Sequence, residues 1–393
     1  MTTSICPEEL CMGCAACSNV CPLKCIDMVS NSEGFLYPKI DYNLCNNCSA
    51  CMRVCPANNI KEANNLASPK VYACWSKDEN VRFRSASGGV FTSIASQILD
   101  NGGVVFGAAY NKDMEVVHMA ISNKEDLVKL QNSKYVQSNI GDSYIYVKKY
   151  LKEDRIVLFS GTPCQVAGLN AYLDKEYNNL ITIDIICHGV PSPGLFEKYV
   201  EYIEENYGFK LTNINFRYKG KGWNLVSTRA TFNNGSQYIL NDIKNSFMYG
   251  FSNNLTLRLS CYQCPYTNVD RNGDITLGDF WGIGEIMPFD HDIQNGVSLV
   301  LVNTDIGSRL FSESLSNIYS EERTLKEAKY KGRMLKQPFP EPENRKLFFY
   351  DYEILEYHNL AKKHLVDKGF KRFIKYILPR TWILKIKKLT KKF

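Results

Sequence analysis

Eight cysteines near the start of the chain form two copies of one metal-binding pattern, C-x2-C-x2-C-x3-C-P. The copies are "CMGCAACSNVCP", with Cys11, Cys14, Cys17 and Cys21, and "CNNCSACMRVCP", with Cys45, Cys48, Cys51 and Cys55. Thiolates at this spacing hold [4Fe-4S] clusters, and the fourth cysteine of each run ligates the cluster of the other run. The sequence therefore predicts a first cluster on Cys11, Cys14, Cys17 and Cys55, and a second cluster on Cys45, Cys48, Cys51 and Cys21.

Zinc is the alternative metal for such a segment. Two zinc ribbons would use C-x-x-C pairs and would leave the third cysteine and the Cys-Pro step of each run unexplained. Small residues between the ligands, such as Gly13 and Ala15, suit a backbone that approaches inorganic sulfide closely. Cys6 and Cys25 fall outside the pattern, and we interpret them as small buried apolar residues. Residues 5–62 resemble a bacterial two-cluster ferredoxin.

A further metal site is predicted from cysteines in the second half of the chain. "IVLFSGTPC" and "ITIDIICHG" place Cys164 and Cys187 just beyond the carboxyl ends of two apolar strands. The carboxyl ends of parallel strands meet at one sheet edge, and "RLSCYQCPY" adds Cys261 and Cys264 at C-x-x-C spacing. Zinc accepts the same four thiolates. We favour a third [4Fe-4S] cluster because the chain already carries electron-transfer motifs.

The elements that must position these ligands follow a polar linker, "KEANNLASPK". Short apolar segments that alternate with amphipathic helices predict an α/β domain with a partly parallel sheet. Segments that indicate strands are 70–76, 104–110, 115–121, 155–160 and 181–187. Predicted helices follow Gly89, a capping box at Ser122–Glu125, Pro163 and Pro193. Residues 212–240 are typical of antiparallel strands, which favours a mixed sheet.

We accordingly divide the chain into three parts. Residues 1–66 are predicted to form a small bacterial-type 2[4Fe-4S] ferredoxin domain, and residues 67–335 a larger α/β domain that carries the third set of cysteines. Residues 336–393 are predicted to form a helical extension with a basic amphipathic tail. The start of the chain, "MTTSICPEEL", shows neither the basic nor the apolar region of a signal peptide. We therefore expect a reducing, cytoplasmic location in which the cysteines stay free.

Basic residues are concentrated at the end of the chain. Nine Lys or Arg and no acid occur in residues 371–393, whereas residues 1–370 carry 38 basic and 41 acidic side chains. The body therefore shows no nucleic-acid-binding pattern. Apolar residues of the tail recur at helical spacing on either side of Pro379. This favours peripheral contact of residues 370–393 with an anionic membrane, with docking on the protein or a partner as the alternative.

Six ordered motifs resemble the coenzyme F420 hydrogenase/dehydrogenase beta-subunit family, here preceded by the ferredoxin segment. They are "SASGGVF", "SKYVQS", "FSGTPCQ", "DIICHG", "LRLSCYQCPY" and "RNGDITLGDFWGIG". The resemblance spans about residues 5–335. It implies an iron-sulfur flavoprotein with FAD beside a [4Fe-4S] cluster, exchanging electrons with a deazaflavin or another two-electron partner. Members also occur beside bacterial surface-polysaccharide genes, where the substrate is generally unassigned.

Two glycine-containing turns are candidate flavin contacts. Ser87, Gly88 and Gly89 precede an apolar helix, whose first N–H groups suit a phosphate. An ordinary helix start is the alternative interpretation of that turn. Gly161 and Thr162 form a tight turn beside a predicted cluster ligand and would let a flavin ring approach it. No G-x-G-x-x-G follows a strand, so a Rossmann-type dinucleotide site is not predicted.

Further site candidates follow from the resemblance and from chemistry. Lys134 and Gln137 are carried over from the family motif as cofactor contacts. His188 follows a predicted ligand, and its imidazole suits proton donation, although a structural histidine gives the same pattern. Asp279 ends the predicted strand in "DITLGDFWGIG" and would orient substrate or cap a turn.

The function predicted from these residues is a relay. Single electrons enter through the two N-terminal clusters and reach the third cluster, and FAD links them to a two-electron partner. The expected partners are a redox protein or reduced ferredoxin and a small-molecule electron acceptor or donor. A non-catalytic electron-transfer subunit of a larger complex is the alternative.

Overall fold

The computed structural model describes residues 4–60, 65–225 and 227–366. The tail at residues 370–393 lies outside the described residues, and its helices and membrane contact stay predictions. Among the residues described, no helix combines the length and apolarity that crossing a bilayer requires.

The ferredoxin segment is built from two related halves. Its elements are α1 (Ala16–Val20), β1 (Ile26–Ser30), β2 (Leu36–Ile40) and α2 (Ala50–Arg53). Ala15 and Ser49, which follow the second cysteine of each run, both adopt φ 59° and ψ 14°. This left-handed turn is unusual for residues other than glycine and lets each cysteine run curl tightly. The two strands pair antiparallel, with Ile26 opposite Ile40.

Eleven strands follow in the larger part of the chain. They are β3 (Lys70–Ser76), β4 (Val104–Tyr110), β5 (Val116–Ile121), β6 (Val157–Gly161), β7 (Leu180–Ile185), β8 (Leu211–Asn215), β9 (Thr228–Phe232), β10 (Gln237–Leu240), β11 (Ile275–Asp279), β12 (Ser298–Val302) and β13 (Ile318–Arg323). Eight form one sheet in the order β13-β3-β12-β11-β7-β6-β4-β5. The predicted mixed sheet is confirmed, but its antiparallel pairings involve β5, β12 and β13. Strands β8, β9 and β10, predicted as antiparallel, form a separate sheet.

Helices cover the large sheet and close the C-terminal end of the described chain. They are α3 (Glu79–Arg84), α4 (Val90–Asp100), α5 (Leu127–Leu130), α6 (Ser143–Lys152), α7 (Pro163–Leu173), α8 (Pro193–Tyr207), α9 (Ser246–Ser252), α10 (Asp305–Ser314), α11 (Leu325–Lys331), α12 (Arg345–Ile354) and α13 (Tyr357–His364). The capping box predicted at Ser122–Glu125 is wrong, because α5 begins only at Leu127. There the Asn123 side chain accepts a hydrogen bond from the Asp126 N–H, which makes a local turn instead.

Five strands of the large sheet end at one edge. Strands β4, β6, β7 and β11 are parallel neighbours, and β3 shares their direction because β12 is antiparallel to both β3 and β11. The chain leaves this edge at the turn before α7, at Cys187 and at Asp279. The edge therefore collects the predicted ligands and proton-handling residues from separate parts of the sequence.

The ferredoxin segment shares its core with the α/β part. Cys14, Ala15 and Ala16 belong to the same buried cluster as Phe159 of β6 and Val166 of α7. On the other side, Glu33 forms a bidentate ion pair with Arg345 of α12. The Arg345 side chain is buried and also donates to the Leu257 carbonyl. A buried, forked ion pair of this kind fixes orientation as well as distance. The cluster-binding segment is thus held rigidly against the sheet edge.

Candidate redox site

The four predicted ligands of the first cluster line one small cavity. Cys11, Cys14, Cys17 and Cys55 all border it, and its walls are largely apolar. Burial, followed by the neighbouring thiols of Cys11 and Cys55, raises the pKa of Cys17 to about 12. Four thiols that border one cavity suit a cationic iron core, which binds all of them as thiolates. The cavity therefore fits a cubane held as the spacing predicts.

The ligands predicted for the second cluster lie nearer the protein surface. Burial and the thiols of Cys45 and Cys48 raise the pKa of Cys51, which places these three together. Cys21 from the other run joins them through Cys25, whose pKa is raised to about 12 by burial and by Cys21 and Cys45. Cys48 is exposed. This set is therefore the most accessible point for an external electron donor.

Two cysteines outside the pattern contact the predicted ligands. Cys25 is 4% exposed, as expected for a small buried residue, yet its Sγ lies 3.4 Å from that of Cys21. Cys6 is only half-buried, and its hydrogen bonds to the Cys11 and Cys55 thiols raise its pKa. The prediction that Cys6 is a small buried apolar residue is therefore incomplete, because its thiol borders the first cluster cavity.

The four cysteines predicted for the third cluster come together at the sheet edge. Burial, and then the thiols of Cys261, Cys164 and Cys264, raise the pKa of Cys187 well above its usual value. Cys164 lies in the first turn of α7, and Cys187 lies just beyond β7. Cys261 lies within a 3-10 helix at Leu259–Gln263, and Cys264 caps the C-terminal end of that helix. Four half-buried thiols from three separate segments match the number of ligands that a cluster requires.

Zinc can be weighed against a cubane from the spacing of the side chains. Within residues 4–60, 65–225 and 227–366, no three His, Cys, Asp or Glu side chains converge on the position of a single metal ion. A zinc ion needs its thiolates at about 2.3 Å. A cubane instead spreads its ligands around the corners of a larger cluster. For the two N-terminal sets the C-x2-C-x2-C-x3-C-P spacing favours clusters over zinc, and the third cluster stays a prediction.

The predicted ligands of the first cluster (the first thiol set) and those of the third cluster (the third thiol set) face each other across the contact between the ferredoxin segment and the α/β part. The pKa of Cys14 is raised by burial, then by Cys17 and also by Cys164 of the third set. A Cβ added at Gly168 of α7 would lie 3.0 Å from the Cys14 Sγ, so the backbone of α7 touches this ligand. The three sets therefore follow one another from the surface to the sheet edge.

Gln137 takes part in this domain contact, and its predicted contact with a cofactor stays a prediction. Its amide nitrogen donates to the Met12 carbonyl at 3.0 Å, and its amide oxygen accepts from Arg258 at 2.9 Å. Arg258 in turn donates to the carbonyl of Cys11 at 2.6 Å. Both polar atoms of the Gln137 side chain are thus occupied by protein groups, and it holds the first cysteine run in place.

The turn at Ser87–Gly89 lies at the end of β3 and is partly occupied by protein contacts. The Ser87 hydroxyl donates to the Val297 carbonyl at 3.0 Å, and the Gly88 N–H donates to the Ser298 hydroxyl at 2.9 Å. Gly89 adopts φ 86° as the N-cap of α4, and no side chain caps this helix. An uncapped first turn keeps backbone N–H groups that suit an anion.

Two basic residues brace the same turn. Lys219 donates from Nζ to the carbonyls of Ser87, Arg82 and Asn295. Arg82 donates to the Gly296 carbonyl at 3.1 Å. Lys219 was not singled out by sequence, because a lysine in "RYKGKGW" looks like an ordinary surface residue. Its three hydrogen bonds tie the turn to neighbouring backbone carbonyls, and burial lowers its pKa to about 7.

Two of the other flavin candidates, Gly161 and Thr162, flank the third thiol set, and Lys134 lies elsewhere. Thr162 is the N-cap of α7, and its hydroxyl lies 3.1 Å from the Cys164 Sγ. Gly161 ends β6 beside it. Lys134 donates to the carbonyls of Lys129 and Gln131 at 2.8 and 2.7 Å, and burial lowers its pKa to about 7. Cofactor contact by these residues stays a prediction.

His188 lies beside the third set in a mostly apolar environment. Its Nε2 donates to the Asn254 side-chain oxygen at 2.7 Å, and the ring packs against Phe251 and Phe339. Burial lowers its pKa below the usual value of 6.5. These contacts are typical of a structural histidine, and its role in proton transfer stays a prediction.

Asp279 anchors a polar and aromatic group that sequence reasoning missed. Its carboxylate accepts from the Trp223 indole N–H at 2.9 Å and pairs with Arg217 at 3.3 Å. Trp223 stacks on Trp281 with ring centroids 4.8 Å apart and planes at 4°. Trp281 is 36% exposed. Only the tryptophans of "KGWN" and "DFWG" hinted at this platform, and nothing local paired them.

Comparison with known families gives three matches. The N-terminal part of the beta subunit of coenzyme F420 hydrogenase/dehydrogenase matches residues 71–143, and the C-terminal part of the same family matches residues 154–328. A "4Fe-4S dicluster domain" matches residues 10–59. The two beta-subunit matches together cover more than half of the chain. No curated protein matches it.

Among solved structures, a chain of the F420-reducing [NiFe] hydrogenase complex from Methanosarcina barkeri, studied by xenon derivatisation, is similar to this chain. The TM-score is 0.44 and the sequence identity 15%. The match covers 75% of this chain and 92% of that chain.

Proposed function

The chain belongs to the coenzyme F420 hydrogenase/dehydrogenase beta-subunit family and carries a 4Fe-4S dicluster segment, and we propose that it is an iron-sulfur flavoprotein oxidoreductase. It relays electrons between a redox partner protein and a two-electron partner, which is a deazaflavin such as coenzyme F420 or an unidentified small molecule. When bound, three [4Fe-4S] clusters would carry single electrons, and FAD would couple them to two-electron chemistry.

The observation that carries this proposal is the continuity of the thiol sets. Cys48 is exposed at the outer end, Cys14 lies at the domain contact near Cys164, and Cys187 stands at the sheet edge. A relay accounts for buried thiols that crowd one another along a path between two domains. The residues fit three clusters in sequence.

The sheet edge also has features that suit a flavin and its two-electron partner. The uncapped first turn of α4, whose backbone Lys219 braces, would receive phosphate oxygens at one side of the edge. The indole of Trp281, with the Arg217 guanidinium 5.1 Å from its ring centroid, offers a flat surface to a planar aromatic group. Asp279 and His188 lie on the same edge and would handle the accompanying proton.

Iron content tests the number of clusters. We expect the full chain, purified without oxygen, to contain about twelve iron atoms and about twelve sulfide ions, four of each for every set of four thiolates. Chemical iron and sulfide analysis against protein concentration measures this ratio. A value near eight would remove the third cluster from the proposal, and iron-free protein that contains zinc would overturn it.

Flavin content separately tests whether the chain holds FAD as the group that couples one-electron to two-electron transfer. We expect about one FAD per chain, because the exchange of single electrons with a two-electron partner requires such a group. Release by denaturation followed by chromatography identifies the flavin and counts it. Protein with its full complement of iron but without flavin would favour the alternative, an electron-transfer subunit that passes single electrons to a partner enzyme.

Location and partners follow from this proposal. A family description that names a beta subunit suggests other subunits as electron donors or acceptors. Contact of residues 370–393 with the cytoplasmic face of an anionic membrane is part of the proposal and rests on the charge and periodicity of that tail. A role in surface-polysaccharide assembly would suit such a location.

A further inference from the structure

Arg258 is a completely buried cation between the first and third thiol sets. Its side chain is 0% exposed. Its Nε donates to the Cys11 carbonyl, and its Nη2 lies 3.5 Å from the Cys11 Sγ. The guanidinium stacks over the ring of Tyr37, 3.9 Å from the centroid. The residue therefore touches a predicted ligand of the first cluster directly.

The same residue begins the segment that carries two ligands of the third set. The Arg258 carbonyl accepts from the Cys261 N–H at 2.9 Å. The guanidinium at the other end of the side chain contacts Cys11. The residue thus spans from the segment of the third set to a ligand of the first set.

No carboxylate neutralises this charge among the described residues. The hydrogen-bond acceptors of Arg258 are a carbonyl oxygen, the Gln137 amide oxygen and a thiol. A buried arginine cannot lose its proton, and an isolated buried charge costs several kcal/mol. Buried ions in proteins are paired, so the compensating negative charge must come from another source.

Arg345 shows what a neutralised arginine looks like in the same contact. It is also buried, it donates to the carbonyl of Leu257, and it too reaches the ferredoxin segment. Its partner there is the Glu33 carboxylate, so its charge is balanced within the protein. The two arginines differ chiefly in this one respect, which makes Arg345 a matched control.

We propose that Arg258 is the counter-ion of the first and third clusters and raises their reduction potentials, which burial alone would lower. A [4Fe-4S] cluster on four thiolates is anionic and gains a further negative charge when it accepts an electron, with no bond made or broken. A fixed, buried cation stabilises that added charge, and net charge, hydrogen bonding and solvent exposure set cluster potentials.

The second cluster lacks an equivalent partner in the described structure. Arg53 donates to the Cys48 carbonyl nearby, but that contact is exposed, and water and salt screen exposed charges. Electrons that enter at the surface are therefore drawn inward toward the sheet edge. This inference rests on the proposed relay of three clusters, and Arg258 acts as a positioning residue for charge rather than a catalytic one.

The test is a redox titration followed by electron paramagnetic resonance on the full chain, with Arg258→Gln, Arg258→Lys and Arg345→Gln compared. In Arg258→Gln we expect the first and third clusters to become harder to reduce by about tenfold in the equilibrium constant, or about 59 mV per one-electron couple. Arg258→Lys keeps the charge and should shift by less than half of that. Arg345→Gln should leave all potentials unchanged while lowering the melting temperature.

The outcomes separate this inference from the relay itself. Full iron content with equal potentials in Arg258→Gln and Arg345→Gln would overturn the counter-ion role and leave the relay intact. Wild-type protein without a third cluster would instead remove the relay. If Arg258→Gln does not accumulate, the Arg258→Lys variant provides the test. A large negative shift of the reduction potentials despite the retained charge contradicts the proposal. Near-normal potentials in a less stable protein support it.

Discussion

Replacing Cys261 and Cys264 together by serine is expected to remove about four of twelve irons and to abolish electron transfer to the two-electron partner. Both thiols belong to the set at the sheet edge, and a cubane that loses two ligands from one segment has only Cys164 and Cys187 left. The first and second clusters use other cysteines, so their spectra should persist. Iron analysis and electron paramagnetic resonance measure both effects.

Cys74 provides the control for that experiment. It is fully buried in β3 and belongs to none of the three thiol sets. Cys74→Ala should therefore lower stability by a modest amount and leave all of the iron in place. Retention of full iron by the double serine variant would show that the edge set is not a cluster site. Loss of all iron would indicate general unfolding, which circular dichroism would reveal.

Asp279→Asn is expected to lower turnover with the two-electron partner by about a hundredfold, the usual scale for a misplaced or lost proton-handling group. The substitution keeps the shape of the side chain but leaves the Arg217 cation unpaired. The Arg217 side chain is only 6% exposed, so water compensates little for the lost partner. Steady-state assays with an artificial reductant measure the loss. Iron and flavin content should remain unchanged because neither depends on this carboxylate.

Trp223→Phe separates charge from packing at the same place. It removes the hydrogen bond that Trp223 donates to Asp279 while keeping the ion pair with Arg217 and most of the stacking on Trp281. We expect a loss of turnover below tenfold for this variant. If both variants lose activity equally and melt at the same lower temperature, Asp279 is only a structural anchor.

Local chemistry explains what could be predicted from the sequence. The cysteine runs allow the cofactor to be predicted because the cluster itself fixes the ligand spacing within one loop. Strands such as β6 and β7 were recognisable as short apolar segments, and their shared direction correctly placed Cys164 and Cys187 at one edge. The capping box at Ser122 failed because Asn123 offers the backbone a competing turn.

Contacts between distant segments explain which site residues could not be predicted from the sequence. Arg258 and Gln137 are polar residues in unremarkable contexts, and only the docking of the ferredoxin segment brings them to Cys11. The pairing of Trp223 with Trp281 likewise depends on a loop that folds over the end of β11. Roles set by long-range burial leave no periodic pattern in the chain.

The shared core of the ferredoxin segment and the α/β part has a consequence for how the protein is made. Cys14 lies beneath α7, packed with Ala16 and Val166, so its thiol is closed off once the two parts have docked. With Cys14 as a ligand of the first cluster, as proposed, iron and sulfide would have to reach it while the segments are still apart. The inner cluster would then be loaded before the chain closes over it.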